Sequence, residues 1–344
     1  MKPRDSIAAV IPVHNRADLL AQLLDSVAAQ TTRFSAVIVI DNASTDGAAG
    51  LARARGCTVI SQARNIGFAA AVNLGWRAAA GHRWIAILNS DVTLDPHWLE
   101  RLVAAVAGPA SSPSGDFSFA TGTIFNATDR QAIDGTYDLL SRSGCAWRAG
   151  YGEHRPDATQ HAAPVRSRIA LAPGTACLFS RDVLDRLHGF DEEFESYLED
   201  VDLGLRCVRE GYDGVYVSDA VACHHGGATL GRWNPRVVRL TSRNQLLLIR
   251  RHYDPELFRA CFWPIVAGQL LWGLVAMRHG AAAAWFAGKL DGLKGFHPEG
   301  RPSLRLRAFL ATSETEIRHR ARDPYWRWYF RLTAPFAGAP GAAH

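Results

Sequence analysis

The chain has 344 residues, 48% of them hydrophobic, with 30 Gly, 16 Pro and a formal net charge of +5. That composition fits one large or two modest domains with a real core and excludes a disordered or fibrous protein. The basic excess is local: residues 301–331 hold eight Arg, no Lys and three acids, so the rest of the chain is near neutral and lacks the broad basic surface of a nucleic-acid binder.

In chain order, Met1-Lys2-Pro3-Arg4-Asp5 runs into a strand-like segment with no signal-peptide core, which predicts a cytoplasmic protein. Residues 7–11 are apolar and β-branched, as a fully buried strand requires. They end in Pro12-Val13-His14-Asn15, and Asn15 is expected to cap a helix whose Leu19, Leu20, Leu23, Leu24 and Val27 share one face. A second buried strand, 36–40, stops at Asp41-Asn42; a short helix leads to a third, 57–60. Arg64-Asn65-Ile66-Gly67 opens a helix over about 68–80. The fourth strand, 84–88, ends at Asn89-Ser90-Asp91, and a helix follows from Pro96.

Strands alternating with helices predict an α/β fold, with a mostly parallel sheet covered on both faces. Ligands then bind beyond the carboxyl ends of the strands. Asp41, Arg64, Asn65, Asn89 and Asp91 stand at such ends and suggest a nucleotide pocket. Neither G-x-G-x-x-G nor G-x-x-x-x-G-K-[ST] is present, so a diphosphate needs another source of positive charge. A divalent metal on carboxylate oxygens is the natural one, with Asp91 as its leading ligand.

At this point the text resembles family-2 glycosyltransferases of the GT-A fold, in particular the bacterial rhamnosyltransferase-like and galactofuranosyltransferase-like branch. The matching segments are Val10-Ile-Pro-Val-His-Asn-Arg16, Ile40-Asp-Asn-Ala-Ser-Thr-Asp-Gly47, Arg64-Asn-Ile-Gly-Phe-Ala69 with Asn73, and Leu88-Asn-Ser-Asp-Val92. They continue with Gly189-Phe-Asp-Glu192, Tyr197-Leu-Glu-Asp-Val-Asp-Leu203 and Cys223-His-His-Gly-Gly227. The resemblance implies a catalytic domain over 1–250, with its nucleotide half at about 1–107 and its acceptor half at about 108–250.

It also implies roles. Pro12, His14, Asp41, Arg64, Asn65 and Asn73 would line the sugar-nucleotide pocket. Asn89-Ser90-Asp91 stands at the family's D-x-D signature, with Asn89 departing from its first Asp, and Asp91 would hold Mn²⁺ or Mg²⁺ together with His224. His225 is the less well aligned of the pair. Asp200 would be the general base of an inverting displacement, the type of group needed to take the proton of a sugar hydroxyl. Glu199 and Asp202 would be structural or acceptor-positioning, Asp202 being able to pair with Arg206 one turn on.

The middle segment carries Tyr137 and Trp147, expected over donor or acceptor, and a loop at 110–115. Residues 251–344 are expected to be helical, with 260–277 in a buried or interfacial hairpin. Tyr325-Trp-Arg-Trp-Tyr-Phe-Arg331 reads as a peripheral anchor on the inner face of an anionic membrane. The six cysteines form no C-x-x-C and read as free thiols.

The functional expectation is a transferase that moves a sugar from a nucleotide-diphospho-sugar to a glycan or lipid-linked glycan. The resemblance puts L-rhamnose from a dTDP donor first and galactofuranose from a UDP donor second. A homo-oligomer is compatible with either. The competing class is a non-catalytic sugar-nucleotide-binding subunit of a synthase.

Overall fold

The computed structural model describes residues 6–106, 117–154, 164–226, 231 and 233–333. The expected 110–115 loop and Gly227 of the His-His-Gly-Gly run lie outside them. The chain divides into two compact units, residues 1–137 with 150–207 and 212–229, and residues 138–149 with 208–211 and 230–344.

In chain order the first unit holds β1 (Ile7–Val13), α1 (Ala17–Ala28), β2 (Ala36–Asp41), α2 (Ala48–Ala54), β3 (Thr58–Ser61), α3 (Phe68–Ala78), β4 (Trp84–Leu88), β5 (Val92–Leu94), α4 (Trp98–Val106), β6 (Phe119–Asn126) and β7 (Ile133–Gly135). The short strands β8 (Asp138–Leu140) and β9 (Ala146–Arg148) belong to the second unit. The first then resumes with β10 (Arg166–Ile169), β11 (Ala176–Ser180), α5 (Arg181–Leu187), α6 (Glu199–Glu210, of which residues 208–210 count with the second unit) and β12 (Gly214–His224). Its sheet runs β10-β12-β6-β11-β4-β1-β2-β3, with β5 on β12 and β7 on β6. Strands β1 to β4 pair in parallel, as their helical crossovers require. Strand β11 reverses direction against β4 and β6, so the sheet is mixed.

The alternation along β1 shows how the two layers form. Ile7, Ala9, Ile11 and Val13 enter one core with Leu20, Leu23 and Leu24 of α1 and Trp98, Leu99 and Leu102 of α4. Ala8 and Val10 enter the opposite core with Val72 and Trp76 of α3, Leu184 of α5 and Leu203 of α6. Each fully buried Leu or Ile contributes about 1.5–3 kcal/mol. Asn15 does not cap α1: Arg16 precedes the helix in a left-handed conformation, and the Ala17 N–H donates to Asp46 Oδ2 at 2.8 Å. The Asn15 side chain instead accepts from the Thr45 N–H.

The second unit adds α7 (Pro235–His252), α8 (Pro255–Ala260), α9 (Phe262–Arg278), α10 (Ala282–Leu293), α11 (Leu304–Arg320) and α12 (Pro324–Leu332). The division falls near residue 229, ahead of the expected 250, because α7 packs on α10. Gly288 and Gly292 let α10 approach the α7 backbone at Arg239 and Arg243. The expected hairpin is α9 and α10, turning at 279–281. In the aromatic run Trp326 and Tyr329 are buried, so part of the expected anchor is core. All six cysteines are free. Among the described residues no helix is long and apolar enough to cross a membrane.

Lys289 is buried in this unit and donates to the Ser242 carbonyl at 2.7 Å, to Gln245 Oε1 at 2.9 Å and to Gln269 Oε1. Burial holds its pKa down at about 7, against 10.5 when exposed. Unfolding therefore takes up a proton between those values, and stability rises with pH through that window. The Cys207 thiol, pushed up to about 12 by burial, acts in the opposite sense above about pH 9. His224, whose pKa is raised from 6.5 to about 9, opposes Lys289 between these onsets, so the Lys289 contribution of up to about 1.4 kcal/mol per pH unit is read as the difference in unfolding free energy between the wild type and Lys289→Met. Between pH 7 and 9 the variant should therefore lose stability relative to the wild type as pH rises; a pH-independent difference would show that the buried amine does not titrate there.

Candidate active site

The strand order puts β4, β1 and β2 side by side, so the residues after them gather on one rim of the sheet. Pro12 is buried near the end of β1, opposite Ile40. His14 Nδ1 lies 2.8 Å from the Asn42 carbonyl, and the buried Asp41 accepts the Ser44 N–H at 3.0 Å. Asn42 does more than its neighbours suggest. Its amide accepts from the Ile66 N–H at 2.8 Å and donates to the Gly67 carbonyl at 3.2 Å, tying the loop after β2 to the loop before α3. Arg64 and Asn65 are exposed on that second loop, and Arg64 has no ion-pair partner among the described residues. Asn65 Oδ1 accepts the Gly67 N–H at 3.0 Å.

Asn73 has its hydrogen bonds within the fold. It is buried, donates to the Phe190 carbonyl and to Glu192, and accepts from the Phe190 N–H and the Trp76 indole. All four of its hydrogen-bonding positions are used in fixing the 189–192 segment. A side chain on Gly189 would strike its amide oxygen.

Downstream of that segment the backbone is strained. Glu195, Tyr197 and Leu198 all have positive φ, at 59°, 71° and 68°. Such residues cost about 1–3 kcal/mol each and persist only where the surroundings hold them. The start of α3 does the holding: the Ala69 N–H donates to the Glu195 carbonyl at 3.0 Å and the Phe68 N–H to Ser196 Oγ at 3.1 Å. Gly67 permits the approach, since a Cβ there would sit 2.8 Å from the Glu195 oxygen. The loop delivers Glu199, Asp200 and Asp202 at the first turn of α6. Asp202 is buried against Arg206 at 2.9 Å, and Glu199 is buried beside it. Asp200 is half-buried. Its Oδ2 accepts the Gly174 N–H and its Oδ1 the Val201 N–H, both at 2.8 Å. The next carbonyl, Thr175, accepts the Asn89 N–H at 2.9 Å, so two consecutive residues separate the Asp200 carboxylate from the start of the Asn-x-Asp segment.

A third convergence involves β5, β7 and β12. Antiparallel pairing of β5 with β12 sets Val92 opposite His224, and the His225 N–H donates to the Asp91 carbonyl at 3.0 Å. His224 Nε2 lies 3.3 Å from Asp91 Oδ1, and its Nδ1 lies 2.8 Å from Asp134 Oδ2. Burial opposes charge on this ring, but the hydrogen bonds and charges of Asp134 and Asp91 outweigh it and raise its pKa to about 9. A Cβ on Gly226 would crowd the ring, at 3.3 Å from Nδ1.

Asp134 is absent from the residues named from sequence, because its three-residue strand carries no periodic signal. Trp147 lies in the second unit, buried, with the Arg320 guanidinium 5.7 Å from its ring centre. Tyr137 packs edge-on against Tyr216 at 5.7 Å.

The donor set suits a divalent metal. Asp91 offers carboxylate oxygen, His224 Nε2 an imidazole whose other nitrogen is already held by a carboxylate, and Asn89 Oδ1 is buried without a hydrogen-bond partner among the described residues. No preformed cluster of three or more metal-ligating side chains occurs among the described residues, so a cation here would take its remaining ligands from a bound diphosphate or water.

Comparison with known proteins agrees with this architecture. The family model described as Glycosyl transferase family 2 matches residues 8–187. The N-acetylglucosaminyl-diphospho-decaprenol L-rhamnosyltransferase of Mycobacterium tuberculosis is 27% identical over 254 residues, covering 66% of this chain and 78% of that one. Among solved structures, GalNAc-T7 with UDP, GalNAc and Mn²⁺ superposes with a TM-score of 0.58 at 14% identity, over 88% of this chain and 60% of that one. The mannosyltransferase PcManGT from Pyrobaculum calidifontis, in complex with GDP-Man and Mn²⁺, gives 0.51 at 18% identity, over 95% and 84%. With more than half of its length matched by the family model, and with the GT-A arrangement of a mixed sheet between helical layers, the chain belongs to glycosyltransferase family 2.

Proposed function

We propose that this glycosyltransferase moves a sugar from a nucleotide-diphospho-sugar to a hydroxyl group of a glycan or lipid-linked glycan, with inversion, in cell-surface polysaccharide synthesis. The observation that carries the reading is the Gly174-Thr175 link, which holds the Asp200 carboxylate and the Asn89-Ser90-Asp91 segment on one rim. Asp200 takes the proton of the acceptor hydroxyl. The hydroxyl oxygen bonds to the anomeric carbon as the bond to the diphosphate oxygen breaks, and the nucleoside diphosphate leaves with that electron pair. One base with a single displacement inverts the configuration. Asp91 and His224 would hold Mn²⁺ or Mg²⁺, whose charge offsets that developing on the diphosphate. Asp41, His14, Arg64 and Asn65 would bind the nucleotide.

L-Rhamnose from a dTDP donor is the first expectation for the sugar, supported by the activity named for the mycobacterial relative; UDP-galactofuranose is the second. Melting temperatures with dTDP, UDP, GDP and CDP, each with and without Mn²⁺, test this directly. A Mn²⁺-dependent rise confined to dTDP is expected; a rise confined to UDP would move the donor to the second class, and none at all would remove the donor site.

Asp134 would act as a positioning residue. By accepting from Nδ1 it leaves Nε2 of His224 facing Asp91. Asp134→Asn is expected to weaken Mn²⁺ binding in the presence of nucleotide by about 10–100-fold, read from the free-Mn²⁺ electron paramagnetic resonance signal. Wild-type affinity in that variant would show that the ring needs no such support.

A further inference from the structure

We infer that the hairpin of α9 and α10 is a lipid-binding face, which seats the enzyme on a membrane surface carrying acidic phospholipid. The inference deepens the proposed lipid-linked acceptor by assigning the surface that meets the membrane.

On α9, Trp263, Leu270, Leu274 and Met277 are each 55% to 61% exposed. Their spacing of seven, four and three residues puts them on one face of the helix. The other face is occupied: Gly268 lies against Ser143, and Gln269 donates to the Ser143 carbonyl at 2.7 Å. On α10, Phe286, Leu290 and Leu293 form a matching exposed stripe, while Gly288 and Gly292 turn the opposite side to α7. The Trp263 indole donates to the Leu332 carbonyl at 2.8 Å, which brings the exposed Trp328 and Leu332 of α12 to the start of α9. Isolated exposed apolar residues are ordinary; two stripes on adjacent helices with a third element at their end make a patch.

Charge selects the occupant. Residues 257–290 contain no Asp or Glu. Arg259 stands just before α9 and Arg278 ends it; both are exposed, and neither has an ion-pair partner among the described residues. Arg327 of α12 is likewise exposed without one. A second copy docked through these stripes would meet a stretch, 257–290, that carries Arg259 and Arg278 and offers no acid in return. An acidic-lipid headgroup layer supplies an anion for each, while the stripes enter the acyl boundary. At 17 residues α9 is about 25 Å long, short of the hydrocarbon core of a bilayer, and its buried Gln269 holds it to the unit, so the helix would lie in the membrane plane.

Flotation of the full chain with phosphatidylcholine vesicles, with and without phosphatidylglycerol, tests the assignment. Binding to the phosphatidylglycerol vesicles is expected, about tenfold or more above phosphatidylcholine alone. Leu270→Glu with Leu274→Glu should reduce it about tenfold or more, with the melting temperature and the nucleotide-induced shift retained. Phe286→Glu gives the same readout from the other helix if the double variant fails to fold. Vesicle binding that survives these substitutions, or no vesicle binding by the wild-type chain, overturns the inference. So does a wild-type dimer in light scattering that the variants dissociate, since the occupant is then a second copy. The nucleotide shift is measured on the same samples: its absence from the wild-type chain would count against the donor reading and leave the vesicle result standing.

Discussion

Replacing Asp200 by Asn is expected to lower turnover by about 10²–10⁴-fold while leaving nucleotide-sugar affinity within about twofold of wild type. The substitution is nearly isosteric, and the amide oxygen can still accept from the Gly174 or Val201 N–H, both of which now bond the carboxylate at 2.8 Å. What is lost is the ability to take a proton from the acceptor hydroxyl. A merely structural Asp200 would instead show a lowered melting temperature with turnover reduced in proportion to the folded fraction. A non-catalytic sugar-nucleotide-binding subunit would show no turnover in either form and unaltered donor binding. Measuring kcat, donor Kd and melting temperature on the same preparations separates the three outcomes.

The second large effect is on stability. Glu314 and Arg142 are only 6% and 5% exposed, and Glu314 accepts from Arg142 Nε at 2.6 Å, from the Arg142 backbone N–H at 2.9 Å and from the Tyr329 hydroxyl at 2.6 Å. Tyr253 closes the network by donating to the Arg142 carbonyl at 3.0 Å. Removing one member leaves a buried guanidinium without its counter-charge, and the typical cost of breaking a buried pair is about 3–5 kcal/mol. Glu314→Ala should therefore lower the urea midpoint by that equivalent, whereas exchanging both partners, Arg142→Met with Glu314→Leu, should cost far less. A single substitution within about 0.5 kcal/mol of wild type would show that water enters to solvate Arg142.

The sequence carried much of this architecture for a simple reason. Strands buried on both faces, such as β1 and β4, need unbroken apolar runs, and the polar residues that end them mark the rim where ligands gather. Asp41, Asn89 and Asp91 are legible as rim positions on that ground, and His14 only through the family resemblance. Residues whose environment depends on distant segments are not. Asn73 is named through the family resemblance, and its hydrogen-bond partners, 190 and 192, lie more than a hundred positions away. The cap of α1 comes from Asp46 rather than its neighbour Asn15. Asp134 sits in a three-residue strand with no pattern, and only the β6–β7 and β6–β12 pairings bring it to His224. Trp147 stands in a Gly- and Arg-rich stretch with no periodic pattern, and its neighbour Arg320, 5.7 Å from the ring centre, is 173 positions away and invisible in the local sequence.

The interleaving of β6, β11 and β12 also constrains the order in which the protein can be made. Strand β11 fills the place between β4 and β6, and β12 covers the far side of β6, although both are synthesised later. As the chain emerges from the ribosome, β1 to β4 can assemble early. The free edge of β4 then stays open until residue 180 has been translated, and that of β6 until residue 224. Unpaired edges of apolar strands invite pairing with other chains. Translational pauses between these points are where this protein is most exposed to aggregation, and where a holdase chaperone would protect it most.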